Sequence, residues 1–266
     1  MTNLFIGTSG YKYKDWVGVF YPEELEEKKN LNYYAQSFNA VEINFTYYSH
    51  PNPFIFYNLA KKVKKGFLFS VKAHSSVTHS RDFKKEEIKN FFDSLKPLED
   101  SGKLGCILLQ FPFSFKFSQS NLEYLKEVGQ HFQGYESVVE FRNDSWLREE
   151  TFRALEDLRL GFCNVDQPQL RGLLPPTDIN TTRVGYIRFH GRNSAQWWNH
   201  QHAYQRYDYL YSSSELEEWL PRIKNVGTST DKTYIYFNNH YKAKSAKSAK
   251  ILIDILKDSN IITSQN

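Results

Sequence analysis

Short apolar runs recur along the chain, and many of them end in a charged or hydrogen-bonding side chain. Residues 4–7, 40–44, 67–73, 106–112, 137–142, 162–166, 186–190 and 234–239 read as eight strands, rich in β-branched and aromatic residues and bounded by turn formers. Between most of them, apolar positions at helical spacing predict helices over 25–38, 54–63, 85–98, 119–132 with Ser118 as N-cap, 149–160, 216–226 and 243–256. The rhythm breaks twice. Residues 167–183 carry three prolines and little periodicity, and 191–211 form a long aromatic segment, so long loops follow strands six and seven. Strands alternating with helices over this length predict an α/β protein built as a single (β/α)₈ barrel spanning 1–266, with a frayed tail from 257 onward. A doubly wound open sheet would usually bring a glycine-rich phosphate turn after its first strand. Gly7-Thr8-Ser9-Gly10 lacks that spacing.

Composition narrows the partners. A net charge of +4 permits an anionic ligand but falls short of the dense positive surface of a dedicated nucleic-acid binder. The 17% aromatic content supplies core, and it also supplies side chains that line pockets for flat ligands or sugars. No apolar run reaches membrane length, and Met1-Thr2-Asn3-Leu4-Phe5 has no signal-peptide layout, so a soluble cytoplasmic protein without a membrane partner is expected. Cys106 and Cys163 both lie in apolar runs and read as buried free thiols.

Alternation sorts each strand into two faces. Val41, Ile43, Val71, Leu109, Val139, Phe141, Ile187, Phe189, Ile235 and Phe237 give the apolar face that covering helices require. The opposite face turns polar at its C-terminal end, with Glu42 and Asn44, Lys72, Gln110, Glu140 and Arg142, Arg188 and His190, and Asn238. In a closed barrel these groups converge where barrel enzymes place their chemistry. Two bland readings compete with a site: mutually neutralising pairs, Glu140 with Arg142 or Glu42 with Lys72, and a turn-capping role for Asp166.

The segments Gly7-Thr8-Ser9-Gly10, Val41-Glu42-Ile43-Asn44, Ser70-Val71-Lys72-Ala73, Leu109-Gln110-Phe111-Pro112, Val139-Glu140-Phe141-Arg142, Phe189-His190-Gly191-Arg192, Tyr207-Asp208-Tyr209 and Phe237-Asn238-Asn239 resemble the YecE-like family, domain of unknown function seventy-two. The match follows the family's order over almost the whole chain. Tyr11 departs from it, standing where members often carry Trp. The resemblance implies a TIM barrel and no established activity. A looser likeness of the family to the endonuclease IV barrel supplies a nucleic-acid hypothesis by analogy of fold alone.

Four functions fit the polar ring. The first is a hydrolase or lyase for an anionic, phosphodiester or nucleic-acid-derived substrate. Lys72, Arg142, Arg188 and Arg192 would hold the anion, Glu42 or Glu140 would serve as general base or acid, and His190 would shuttle a proton. Catalysis is thus assigned to Glu42, Lys72, Glu140 and His190. Binding is assigned to Asn44, Gln110, Arg142, Asp166, Arg188, Arg192, Tyr207, Asp208, Asn238 and Asn239. A divalent-metal variant on Glu42, Glu140, Asp166 and His190 is not favoured, because neighbouring cations repel a metal and no H-x-H or H-E-x-x-H signature is present. The second is a glycoside-processing enzyme using Glu42 and Glu140 under an aromatic wall of Trp197, Trp198 and Tyr207. The third is Schiff-base chemistry at Lys72, opposed by the flanking carboxylates, which should keep the amine charged. The fourth is a non-catalytic nucleic-acid- or protein-binding module with a basic, aromatic rim. Cofactor, metal status and oligomeric state are not set by the sequence.

Overall fold

The computed structural model of the chain describes residues 2–261. Eight parallel strands, β1 (Asn3–Thr8), β2 (Ala40–Ile43), β3 (Leu68–Lys72), β4 (Leu104–Gln110), β5 (Ser137–Glu140), β6 (Leu160–Asp166), β7 (Val184–Phe189) and β8 (Lys232–Phe237), form one sheet in the order β1-β8-β7-β6-β5-β4-β3-β2. The pairing of β1 with β8 rolls the sheet into a nearly closed (β/α)₈ barrel and excludes the open doubly wound alternative. The predicted outward residues are buried under the helices, with Phe189 stacked on Phe237 and Phe141 on Trp146. Inside, Tyr186, Tyr234 and Tyr236 pack against one another, and Tyr236 hydrogen-bonds Ser70 at 2.9 Å. Bulky rings therefore fill the barrel's middle, leaving the polar strand ends above them.

The seam between β1 and β2 closes in an unusual way. Its backbone contribution is a single bridge, Ser9 to Glu42, beside the hydrogen bond that Gly10 N–H donates to Glu42 O at 2.8 Å. Side chains replace the rest of the ladder. The Asn39 amide accepts from Ile6 N–H at 2.8 Å and donates to Leu4 O at 2.9 Å. The Tyr34 hydroxyl accepts from Thr8 N–H at 2.8 Å and donates to Ala40 O at 3.0 Å. Gly7 permits this approach, since a Cβ there would lie 1.9 Å from Ala40 O. Tyr34→Phe should strand a buried donor and a buried acceptor at once and lower stability by about 1–3 kcal/mol. A urea denaturation midpoint equal to wild type would refute that account of the seam.

The helices are α1 (Asn30–Tyr34), α2 (Pro53–Lys61), α3 (Lys85–Asp100), α4 (Gln119–His131), α5 (Glu149–Asp157), α6 (Ser194–Trp197), α7 (Ala203–Arg206), α8 (Ser213–Glu217), α9 (Leu220–Thr228) and α10 (Lys244–Asp258). Ser118 caps α4 as its sequence position predicts, accepting from Asn121 N–H at 3.2 Å. Three helical expectations are corrected. The stretch 25–38 is α-helical over α1 alone, preceded by a 3₁₀ turn at Glu27–Lys29. The predicted 216–226 helix is two helices, because Pro221 lacks the N–H to continue α8 and instead starts α9. The long segment after β7 carries the short helices α6 and α7. The tail expected to fray is helical through Asp258, and 262–266 lie outside the described residues. No helix among the described residues is long and apolar enough to cross a membrane. Cys106 and Cys163 are both free and buried, as their apolar settings indicate.

Candidate active site

The floor of the barrel's C-terminal mouth is a buried charge bridge. From β7, Arg188 reaches Glu42 Oε1 of β2 through Nη2 at 2.7 Å and Glu140 Oε2 of β5 through Nη1 at 2.5 Å. Arg188 Nη2 also donates to Ser9 Oγ at 3.3 Å, and the Tyr186 hydroxyl donates to Glu42 Oε2 at 2.8 Å. All three charged side chains are at most 2% exposed, so desolvation is nearly complete and must be offset within the cluster. Burial alone would raise the Glu140 carboxyl. The guanidiniums of Arg142 and Arg188, with His190, outweigh it and hold that carboxyl well below the ordinary range.

Above the bridge, Arg142 and His190 crowd the remaining Glu140 oxygen. Arg142 Nε lies 2.5 Å and His190 Nε2 3.1 Å from Glu140 Oε1. Neither contact has hydrogen-bond alignment, so Glu140 Oε1, Arg142 Nε and His190 Nε2 are buried without a hydrogen-bond partner among the described residues, as are Arg188 Nε and Asn44 Oδ1. A cluster of such atoms costs stability and is characteristic of functional sites. Among the described residues the outer Arg142 nitrogens have only long hydrogen-bond contacts, 3.5 Å from Nη1 to Gln167 Oε1 and 3.5 Å from Nη2 to His190 Nδ1. His190 Nδ1 also lies 3.3 Å from Asn238 Nδ2. Burial and then Arg142 push the imidazole down to about 3, leaving it neutral despite Glu140.

Lys72 ends β3 half-buried beside these groups. Its Nζ donates to Gln110 Oε1 at 2.7 Å and stands 4.2 Å from the centre of the Tyr47 ring. The alternative Glu42–Lys72 pair does not form, because both carboxylates are engaged by arginines. Burial, then Arg188, lower the Lys72 amine to about 7, with Arg142 adding to the effect and Glu140 and Glu42 opposing it. The expectation that flanking carboxylates keep this amine charged is therefore corrected: their charge is spent on Arg188 and Arg142, and desolvation prevails.

The rim is aromatic. His79 stands edge-on to Tyr47 at 4.9 Å between ring centres, and burial, Lys72 and Arg142 lower it to about 4. Tyr207 lies 6.0 Å from the His190 ring and 5.9 Å from Trp197. Burial would raise its phenol, but Arg142 and Arg206 prevail and hold it below its ordinary value. Trp197 is buried, whereas Trp198 of the predicted wall is 49% exposed.

Of the residues read from sequence, Glu42, Lys72, Gln110, Glu140, Arg142, Arg188, His190, Tyr207 and Asn238 are linked in this network, and Asn44 directly follows β2. Four others are placed in structural contacts. Asp166 accepts from Tyr211 Oη at 2.5 Å, Trp219 Nε1 at 2.7 Å and Arg192 Nη2 at 2.9 Å, so its oxygens are spent on clamping the post-β7 segment. Arg192 is held by that carboxylate and by Glu218 at 2.9 Å. Asp208 pairs with Lys244 at the start of α10, and Asn239 donates to His190 O and Tyr207 O. The metal-ligand set Glu42, Glu140, Asp166 and His190 thus comes apart, with Arg188 between the two glutamates. Among the described residues, no three His, Cys, Asp or Glu side chains cluster to hold a metal ion. Sequence reasoning missed Ser9, Tyr47, Gln167, Tyr186 and Arg206. Alternation could have found Tyr186, which shares the face of Arg188.

A family model described as "Protein of unknown function DUF72" matches residues 5–265. The chain is similar to the UPF0759 protein YunF of Bacillus subtilis, 30% identical and covering 95% of this chain and 94% of that protein. It is also similar to the crystal structure of a DUF72 protein from Thermotoga maritima, at 40% identity and a TM-score of 0.88, covering 96% of this chain and 99% of that one. A DUF72 protein from Enterococcus faecalis shares the fold, with a TM-score of 0.82 at 23% identity, over 97% of this chain and 98% of that one.

Proposed function

The chain belongs to the DUF72 family of proteins of unknown function, and from that premise we propose that it is an enzyme, a hydrolase or lyase, acting on a small anionic substrate at the mouth of its barrel. One observation carries this reading: among the described residues the outer nitrogens of Arg142 have no hydrogen-bond partner closer than 3.5 Å, and the lysine beside them has no ion pair. A guanidinium in that condition suits a carboxylate or phosphate, which it can grip with two parallel hydrogen bonds. Lys72 then supplies the reactive group, since an amine lowered to about 7 both takes and gives a proton near neutrality. Glu140 orients Arg142, and the Glu42–Arg188–Glu140 bridge fixes Glu140. Phosphodiesters and nucleic-acid fragments belong to this substrate class. The two unpaired cysteines accord with work in a reducing cytoplasm.

A glycosidase reading has less support. It needs one carboxyl kept protonated as general acid, and Glu140 is held well below the ordinary range. The test is a screen of carboxylates, phosphomonoesters, phosphodiesters and short single-stranded oligonucleotides on wild type and Arg142→Ala, read by turnover and by thermal shift with inorganic phosphate. Anions should raise the melting temperature of wild type and leave Arg142→Ala unmoved. Equal shifts in the two proteins would remove Arg142 from anion recognition.

A further inference from the structure

We propose that Lys72 is a nucleophile and that the substrate class is an aldehyde or ketone carrying a carboxylate or phosphate, bound by Arg142 through its anion and by Lys72 through an imine. This deepens the reading of the mouth as an anion site and rests on it. The geometry is that of an amine kept without a counter-ion. Among the described residues Lys72 Nζ has one short partner, the neutral Gln110 amide oxygen at 2.7 Å, and it lies against the Tyr47 ring face. The carboxylates of the floor, Glu42 and Glu140, are occupied by Arg188 and Arg142. A lysine desolvated next to other cations is the arrangement that makes an amine nucleophilic at neutral pH.

The groups facing Lys72 are Arg188 from β7, Glu140 and Arg142 from β5 and its extension, Glu42 from β2, Gln110 from β4, and Tyr47 and His79 from the loops. Burial and then Arg188 lower the amine to about 7, so about half of it is uncharged at pH 7, against about one part in three thousand for an ordinary lysine. The step balances without a co-reactant. The nitrogen lone pair forms the C–N bond while the carbonyl π pair moves to oxygen. One proton passes from the nitrogen to that oxygen, giving a neutral carbinolamine. Both amine hydrogens finally leave on the oxygen as water, the C–O bond breaks, and amine plus carbonyl becomes imine plus water. An imine conjugated to the substrate then withdraws electrons from the adjacent carbon, which favours the lyase half of the proposed activity.

The test is reductive trapping. Purified protein is incubated with glyoxylate, pyruvate or glyceraldehyde 3-phosphate, and in parallel with neutral butanal or acetone, then treated with borohydride, digested and mapped by mass. Lys72 should carry the reduced adduct of at least one anionic carbonyl, at least about tenfold above exposed Lys12 and Lys28, as the larger uncharged fraction requires. Arg142→Ala raises the amine's pKa and so lowers labelling by both carbonyl classes, but it should cut the anionic adduct about tenfold more than the neutral one, and Lys72→Arg should take no adduct at 72. No anionic adduct at Lys72 in wild type, or labelling no higher than at Lys28, overturns the proposal. If phosphate still stabilises wild type and not Arg142→Ala, that failure is confined to the nucleophile. Labelling at Lys72 that is indifferent to both substrate charge and Arg142→Ala would overturn the anionic class and the anion-site reading with it.

Discussion

Arg188→Met is expected to lower folding stability by about 3–5 kcal/mol, because it leaves Glu42 and Glu140 buried with part of their counter-charge removed. Both carboxylates are fully buried, and Arg188 binds each of them at 2.7 Å or less, so water cannot substitute for the lost guanidinium. The charge origin of the loss can be separated from the shape of the side chain. The triple change Glu42→Gln, Glu140→Gln and Arg188→Met removes the stranded charges and should recover much of the deficit. A triple variant as unstable as the single one would assign the loss to packing. Acid titration gives a second readout. In wild type the Glu140 carboxyl sits below its unfolded value of about 4.5, so its contribution is present above that pH and is lost as pH falls through the folded value. Arg188→Met removes one of the groups holding it low, and the total stability lost on acidification from about pH 4.5 down through the folded value should shrink. An unchanged acid loss would contradict the role given to Arg188.

The barrel was legible because helix-covered strands must show one apolar face. Val41 and Ile43 against Glu42, or Val139 and Phe141 against Glu140 and Arg142, disclose both the fold and the polar floor. Legibility failed where a side chain's fate depends on residues far away in sequence. Asp166 ends an apolar strand as Glu140 does, but its partners Arg192, Tyr211 and Trp219 come 26, 45 and 53 residues later. Nothing local says that they will consume it. The same holds at the β1–β2 seam, where Asn39 and Tyr34 do work that backbone usually does. For Lys72, a count of neighbouring carboxylates was not enough: Glu140 and Glu42 do push the amine up, but burial and then Arg188, which lies between them, outweigh their effect.

Arg142→Ala is expected to reduce kcat/KM about 10²–10³-fold on the substrate the screen identifies, the usual loss when a preorganised charge stabiliser is removed. A residue that merely packs the mouth could also lower activity, so the decisive readout is the acid limb of the pH–rate profile of kcat/KM, which reports the amine in the free enzyme. Arg142 lowers the Lys72 pKa and Glu140 raises it. Removing the guanidinium should therefore move the limb to higher pH, while Glu140→Gln, which deletes the opposing charge, should move it to lower pH. Opposite displacements from two neighbouring residues cannot come from general loosening of the site, which would lower the rate without moving the limb. Displacements of the same sign, or limbs fixed in both variants, would take Lys72 out of the rate-determining protonation and leave Arg142 as a binding group only.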